Sequence, residues 1–248
     1  MTNHLVSVIV PAWDMARFLP DAIASIPEVH EIIIVTADSK DDTQDVAAEL
    51  ARQRREVRVV TGSVGSPAIA RNIGLTEATG DIIAFNDADD VWPTRKLSSQ
   101  LGRLDRNPQV DVVAGLVTYF DSLDPTTLSP SQFSRIHTVF FHHLGAAIFR
   151  RSVFERVGRF DETLRYGEDR DLFLRLFEFQ VPFVILNAVM LFYRRHADSM
   201  MTREDPRKKS DDVRVYALSL ARRRRLGIDL APLNFDNFIE DLPVSQQL

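Results

Sequence analysis

The sequence predicts an α/β fold with a mostly parallel central sheet flanked by helices, and three observations carry that prediction. Short β-branched runs alternate with helical patterns through the first half of the chain. The runs are apolar almost throughout, as strands covered on both faces must be. One of them, in IIAFNDADDVWP, ends in three carboxylates within four residues, Asp87, Asp89 and Asp90. In open parallel sheets the carboxyl ends of the strands are where ligands bind.

The elements follow in order. Residues 5–10 (LVSVIV) read as a buried strand stopped by Pro11, and residues 17–26 as a helix with Phe18, Leu19, Ala22, Ile23 and Ile26 on one face. A second strand over 31–35 (EIIIV) precedes a helix over 41–54, and a third over 57–60 precedes a helix over 67–78 that ends near Gly80. The fourth strand spans 81–85. The second half is more mixed: a helix over 92–106, a strand over 110–119, and a surface loop rich in Ser, Thr, Pro and Asp over 121–134. A short strand (146–149), a helical turn (152–157), a helix (168–179) and a last strand (189–194) come next. The sharpest change of composition falls near 203–210, before a basic helix over 211–225 and an acidic tail with little helical pattern.

The net charge of −5 argues against a nucleic-acid binder that relies on phosphate neutralisation. Without cysteine, disulfides and thiolate metal sites are excluded. The N-terminal apolar run has no basic flank and is far short of the roughly 18 apolar residues that a bilayer requires, as is every other run. A cytoplasmic protein is expected, membrane-peripheral at most. No GxGxxG follows any strand, which disfavours a dehydrogenase.

Taken locally, the three aspartates have two readings. Hard oxygen donors at short spacing suit Mg2+ or Mn2+, which complete their shells with substrate phosphates. The plainer alternative is a solvated turn in which Asp90 caps the next helix. The pair Glu168–Asp169 is equally divided, since acidic groups are favoured at a helix N-terminus by the dipole.

Four blocks change this balance because they occur in order: SVIVPAWDMARFLPDAIASI, SPAIARNIGLTEATGDIIAFNDADDVWPTRKLSSQL, GAAIFRRSVFERVGRFDETLRYGEDRDLFLRL and FYRRH. Together they resemble the family 2 glycosyltransferases, which have the GT-A nucleotide-sugar-binding fold, over about residues 5–200. The resemblance implies a GT-A domain over residues 1–205, with a nucleotide-sugar half to about 106 and an acceptor half beyond it, followed by a helical extension over 206–248. It implies an inverting, metal-dependent transfer, using Mn2+ or Mg2+, from a nucleoside diphosphate sugar to a hydroxyl acceptor such as a polysaccharide or a lipid-linked glycan.

By that resemblance the DXD motif binds the cation with Asp89 as direct ligand, and Asp87 faces the ribose or a metal-bound water. Asp169 matches the general base, with Glu168 beside the acceptor. Arg71, Asp87 and Ala88 fall at the nucleotide pocket, Arg194 and His196 near the diphosphate, and Pro11, Ala12 and Asp14 at the nucleobase and ribose. Trp92 is placed on the acceptor side, where an indole could stack on a sugar, although packing in the core is its plainer role.

The pattern breaks at the second strand. The family usually ends it with an aspartate pair followed by Gly-Ser, and one aspartate hydrogen-bonds uracil. This chain has Thr36, Ala37 and Asp38 there. A threonine cannot supply a carboxylate, and a buried base N–H left unpaired costs on the order of 1–3 kcal/mol. Either Asp38 replaces the missing group, or another nucleotide is read, or donor affinity is weak; a UDP-sugar is the default. A nucleotide-sugar-binding module without turnover is the alternative that this departure motivates. A nucleotidyltransferase would carry a Gly-rich, basic loop where this chain has PAWDMARF.

Two features remain. His142 and His143 lack acidic or histidine partners at ligand spacing, so packing or acceptor contact is expected of them and not metal ligation. The Arg222–Arg225 run reads as a solvated helix end, with docking to an anionic membrane or a polar lipid-linked acceptor as the second reading.

Overall fold

A computed structural model of the chain describes residues 4–62, 65–139, 143–200, 202 and 204–228, with the backbone of the short strand Ile239–Glu240. The chain begins with three strand–helix units: β1 (Val6–Ala12), α1 (Leu19–Ser25), β2 (Glu31–Thr36), α2 (Thr43–Gln53), β3 (Val57–Thr61) and α3 (Pro67–Glu77). β4 (Ile82–Phe85), α4 (Lys96–Arg106) and β5 (Val112–Phe120) follow. The segment read as a surface loop holds a small ladder, β6 (Leu123–Asp124) with β7 (Ser129–Pro130), before β8 (His137–Val139). The remainder comprises a 3-10 turn (Leu144–Ala146), β9 (Ile148–Arg150), α5 (Ser152–Val157), α6 (Glu168–Glu178), β10 (Phe183–Arg194), α7 (Arg207–Leu226) and β11 (Ile239–Glu240).

The strands form one mixed sheet in the order β11-β10-β5-β9-β4-β1-β2-β3, with β8 on β5. β1, β2, β3 and β4 are parallel neighbours, as expected, and β9 is an antiparallel insertion between β4 and β5. The alternation of side chains along each strand divides the core in two. Val8, Val10, Ile32, Ile34, Ile82 and Ala84 face one cluster, which α1 and α4 cover with Leu19, Ile23 and Leu104. Ile9, Ile33, Val35, Ile83 and Phe85 face the other, covered by α3, α5 and α6 through Ala70, Phe154 and Leu172. Continuous apolar strands are therefore required at the centre, where both faces of β1, β2 and β4 are dry.

Two boundaries differ from the sequence expectation for identifiable reasons. β1 continues through Pro11, which pairs with Val35 of β2. The β4 ladder ends at the Ile9–Phe85 pair, so no partner on that side asks Pro11 for the N–H it lacks. β10 begins at Phe183, six residues earlier than expected, because Asn187 and Ala188 interrupt the apolar pattern without ending the strand. The register shifts between Leu186 and Val189 and again before Leu191 absorb the extra residues. Gly115 of β5 permits this, since a Cβ there would stand 2.2 Å from Met190 Cγ.

Among the described residues no helix is long and apolar enough to cross a membrane. Apart from β11, the acidic tail lies outside the described residues, as does His142.

Candidate active site

The carboxyl ends of β1, β2 and β4, together with the start of α3, surround a pocket of about 280 Å³. β1 contributes Pro11 and Ala12, and the turn after it contributes Trp13 and Asp14. Asp14 has a φ of 54°, a conformation that aspartate tolerates better than most residues. Its Oδ1 accepts a hydrogen bond of 2.7 Å from the Lys40 amide, fixing that turn to the one after β2. β2 supplies Val35 and Ala37, and the β3–α3 connection supplies Gly65, Ser66 and Pro67. Asp87, Ala88 and Asp89 line the pocket from the end of β4, and Arg71 enters from α3.

Arg71 organises the charges. Although its guanidinium is buried, Nη2 donates to Asp87 Oδ1 at 2.7 Å and Nη1 to Glu168 Oε1. One side chain thus joins the acidic loop after β4 to the start of α6, 97 residues apart from Arg71 to Glu168. Burial alone would raise the Asp87 pKa, but the positive charge of Arg71, aided by His143, holds it below the usual range. Burial pushes Glu168 up to about 7, against the pull of Arg71 and with Asp169 adding to the rise. Asp169 is also raised by burial, with Arg71 and the Arg170 amide opposing. A carboxyl raised toward neutrality is what general-base work requires. Gly167, with a φ of 75°, turns the chain into α6 so that both acids fall in its first turn.

The acidic loop is braced from behind. Arg194 lies between the rings of Phe18 and Phe120; its Nε donates to the Asp89 carbonyl at 2.9 Å and its Nη2 to Asp21 at 3.0 Å. This guanidinium is committed to holding the loop and does not line the pocket, which corrects the expectation that it meets a diphosphate. His196 Nε2 bonds Asp89 Oδ2 at 2.9 Å and its ring packs on Phe18, so it reaches the pocket only through Asp89. Asp90 is fully buried; its Oδ1 accepts the Arg194 amide at 2.9 Å, while Oδ2 has no partner among the described residues. Burial, with Asp89 and Asp87 close by, raises the Asp90 pKa well above the ordinary range.

Two further expectations are corrected. Trp92 is 2% exposed and packs in the core against Lys96, so it offers no face to a sugar. Asp38 is exposed and absent from the pocket wall, where Ala37 stands instead. Thr36 is buried and faces Thr61. The β2 side of the pocket therefore presents Val35 and Ala37 and no carboxylate.

The far wall was not legible in the sequence. Arg165, Tyr166, Asp198, Ser199, Glu204 and Asp205 close it. The Tyr166 hydroxyl donates to Asp205 at 3.0 Å, and Asp211 of α7 accepts the backbone amides of Arg165 and Tyr166. The stretch near 203–210 reads as a polar linker because Glu204 and Asp205 join the pocket wall only through the fold, beside residues from β1. His143 was expected to pack, yet Asp87, Asp90 and His143 each present a ligand atom within 4.8 Å of the others. Carboxylates with an imidazole fit Mn2+ and related ions, and the partnerless Asp90 Oδ2 leaves a donor for one.

Comparison with known proteins identifies the family and the fold. The family model described as glycosyl transferase family 2 matches residues 7–158. "Uncharacterized glycosyltransferase EpsJ" of Bacillus subtilis (strain 168) is 28% identical over 217 residues, 79% of this chain and 62% of its own. The chain therefore spans less than two thirds of that relative's length. An Escherichia coli protein named UDP-Glc:alpha-D-GlcNAc-diphosphoundecaprenol beta-1,3-glucosyltransferase WfgD is 30% identical over 112 residues, 43% of this chain and 44% of its own. Among solved structures, S. aureus TarS 1-349 in complex with UDP-GlcNAc superposes with a TM-score of 0.71 at 20% identity, covering 91% of this chain and 68% of that one. The mannosyltransferase PcManGT from Pyrobaculum calidifontis, in complex with GDP-Man and Mn2+, gives 0.63 at 18% identity, covering 94% and 77%. The fold is the GT-A fold expected from the sequence.

Proposed function

The chain belongs to glycosyl transferase family 2, and from that premise we propose that it moves a sugar, with inversion and with a divalent cation, from a nucleoside diphosphate donor to a hydroxyl acceptor. The observation that carries the proposal is Arg71, which ties Asp87 on the pocket wall to Glu168 beside Asp169. It brings the donor-side acids and the candidate base to one place.

In this reading the donor's nucleoside lies against Pro11, Ala12 and Asp14, and its diphosphate points toward the acidic loop. Among the described residues the pocket wall carries six carboxylates, Asp14, Asp87, Asp89, Asp198, Glu204 and Asp205, against two guanidiniums, Arg71 and Arg165. Arg71 is already shared between two acids, so a diphosphate would meet net negative charge. A bound Mn2+ or Mg2+ would supply the missing positive charge and stabilise the leaving diphosphate; Asp87, with Asp89 next to it, faces the pocket to hold it. Asp169 takes the proton of the acceptor hydroxyl as that oxygen attacks the anomeric carbon on the side opposite the diphosphate. The bond from the sugar to the diphosphate breaks, its electron pair stays on the phosphate oxygen, and the configuration inverts. Glu168 and Arg71 set the environment of Asp169.

A UDP-sugar is the default donor, supported by TarS with UDP-GlcNAc and by the name of WfgD. A polysaccharide or lipid-linked glycan is the proposed acceptor. Incubating the protein with UDP-glucose or UDP-GlcNAc, Mn2+ and a polyprenyl-diphosphate-linked sugar tests this: NMR of the product should show the anomeric configuration opposite to the donor's. Retention would overturn the single-displacement mechanism.

We also propose peripheral contact with an anionic membrane through α7. Arg222 is paired with Asp171 and Glu178 and Arg223 is buried, so half of the arginine run faces inward. Val213, Tyr216 and Leu220 face outward beside the exposed Arg224 and Arg225, a combination suited to an acidic lipid surface. Flotation with phosphatidylglycerol vesicles, absent with phosphatidylcholine alone, is the expected result; no flotation with either removes this contact.

A further inference from the structure

We propose that His143 is a ligand of the divalent cation, acting with Asp87 and Asp90, so that the ion is held from the second half of the chain as well as from the acidic loop. This inference rests on the metal-dependent reading above and assigns its ligands.

The topology makes the meeting possible. β9 runs antiparallel to β4, pairing Ile148 with Ala84 and Arg150 with Ile82. The residues that lead into β9 therefore lie beside those that follow β4. His143 stands five residues before Ile148, and Asp87 and Asp90 follow Phe85 by two and five. Their ligand atoms already lie within 4.8 Å of one another. Donors around an ion at about 2.1 Å are about 3–4 Å apart, so small side-chain movements close the cup.

Two observations point independently to a missing partner. Asp90 is 0% exposed, and its Oδ2 has no hydrogen-bond partner among the described residues. The His143 Nδ1 is likewise buried and without a partner there. Buried polar atoms are nearly always satisfied, so two such atoms on neighbouring side chains need an explanation. One cation supplies it for both. The ring of Tyr193, 4.9 Å away and edge to face, holds the imidazole in place.

Asp89, the acid that the motif alone suggests, has one oxygen committed, as Asp87 has through Arg71. The Asp89 Oδ2 is engaged with His196 Nε2 at 2.9 Å, and its carbonyl with Arg194. A nitrogen donor also has a chemical consequence. Mn2+, like Mg2+, is held mainly by oxygen, but as a transition metal it accepts an imidazole nitrogen more readily than Mg2+ does. The protein should thus favour Mn2+ over Mg2+, and His143 should be the cause.

The test is pulsed electron paramagnetic resonance of Mn2+ added to the full chain with UDP, the protein carrying 15N-labelled histidine. The expected spectrum shows a nitrogen coupling of directly bound imidazole. His143→Gln should abolish the coupling, weaken Mn2+ binding about tenfold and leave Mg2+ binding little changed, while His196→Gln should keep the coupling. The wild-type spectrum decides the matter even where a variant fails to fold. Bound Mn2+ without nitrogen coupling, or coupling lost only in His196→Gln, overturns the assignment and leaves metal dependence standing. If Mn2+ binds neither with UDP nor without it, the metal-dependent reading itself falls, and the ligand assignment with it.

Discussion

The two ends of the same parallel strands treat buried carboxylates in opposite ways. At the amino end, Glu31 opens β2 and is 8% exposed. Its Oε1 accepts from the Ser7 hydroxyl at 2.7 Å and from both the amide and the hydroxyl of Thr79 at 2.6 and 2.7 Å. Its Oε2 accepts from Arg58 at 3.0 Å. Burial would raise its pKa, but these donors bring it down to about 2. At the carboxyl end Arg71 holds Asp87 low, but burial prevails at Asp90, Glu168 and Asp169, which are all raised, and Asp90 Oδ2 has no donor among the described residues. A carboxylate that the fold satisfies contributes to stability. Carboxylates left short of partners at the ligand end of a sheet are arranged for something that arrives.

The strongest challenge to this contrast is Asp169→Asn. Transfer should fall about 10²–10⁴-fold, the usual contribution of a general base, while UDP binding by calorimetry stays unchanged. Transfer at the wild-type rate would place the base elsewhere.

Arg71→Met comes next, because it strips the single cation shared by Asp87 and Glu168. Breaking a buried pair in this way costs about 3–5 kcal/mol, readable by urea denaturation. Arg71 also lowers the Asp169 pKa, so its loss should move the acidic limb of the rate profile to higher pH. An unmoved limb would separate Arg71 from the base.

Glu31→Gln sharpens the structural half of the comparison. The Glu31 pKa is lowered on folding, from 4.5 to about 2, so its contribution is present above the unfolded value and lost as pH falls through the folded one. Wild type should exceed the variant by about 3 kcal/mol near neutral pH, since a tenfold change in proton affinity is worth about 1.4 kcal/mol. The difference should shrink as pH falls from 4.5 toward 2. A gap independent of pH would mean that the contact is steric.

Asp90→Asn should have the smallest effect on the metal-free protein, less than about 1 kcal/mol, because the lost charge has no partner at Oδ2 and Oδ1 can still accept the Arg194 amide. The same change should remove the thermal stabilisation that Mn2+ confers on wild type. A large metal-free loss would make Asp90 a structural acid like Glu31.

Much of this was legible in the sequence, for physical reasons that differ by element. Strands such as 31–35 declare themselves because both faces are buried and no polar residue interrupts them. Asp87, Asp89 and Asp169 could be proposed only because four ordered blocks resemble a family, since each acidic run taken locally has a plainer reading. Trp92 could not be placed, since an indole packs in a core or stacks on a sugar with the same local sequence. Arg194 was legible as a cation but not as one spent on Asp21 and two aromatic rings, because its partner lies so far away along the chain: Arg194 Nη2 and Asp21 are 173 residues apart. His143 was invisible as a ligand for the same reason. Its acidic neighbours lie more than 50 residues earlier and meet it only because β9 inserts between β4 and β5.

The central claim is that the acidic end of the sheet holds a cation for a nucleoside diphosphate. Calorimetric titration of UDP into the full chain, once with Mn2+ and once with chelator, tests it most directly. The account predicts saturable binding with Mn2+ and binding at least about tenfold weaker, a loss of about 1.4 kcal/mol, with chelator. Equal affinity under both conditions would contradict it.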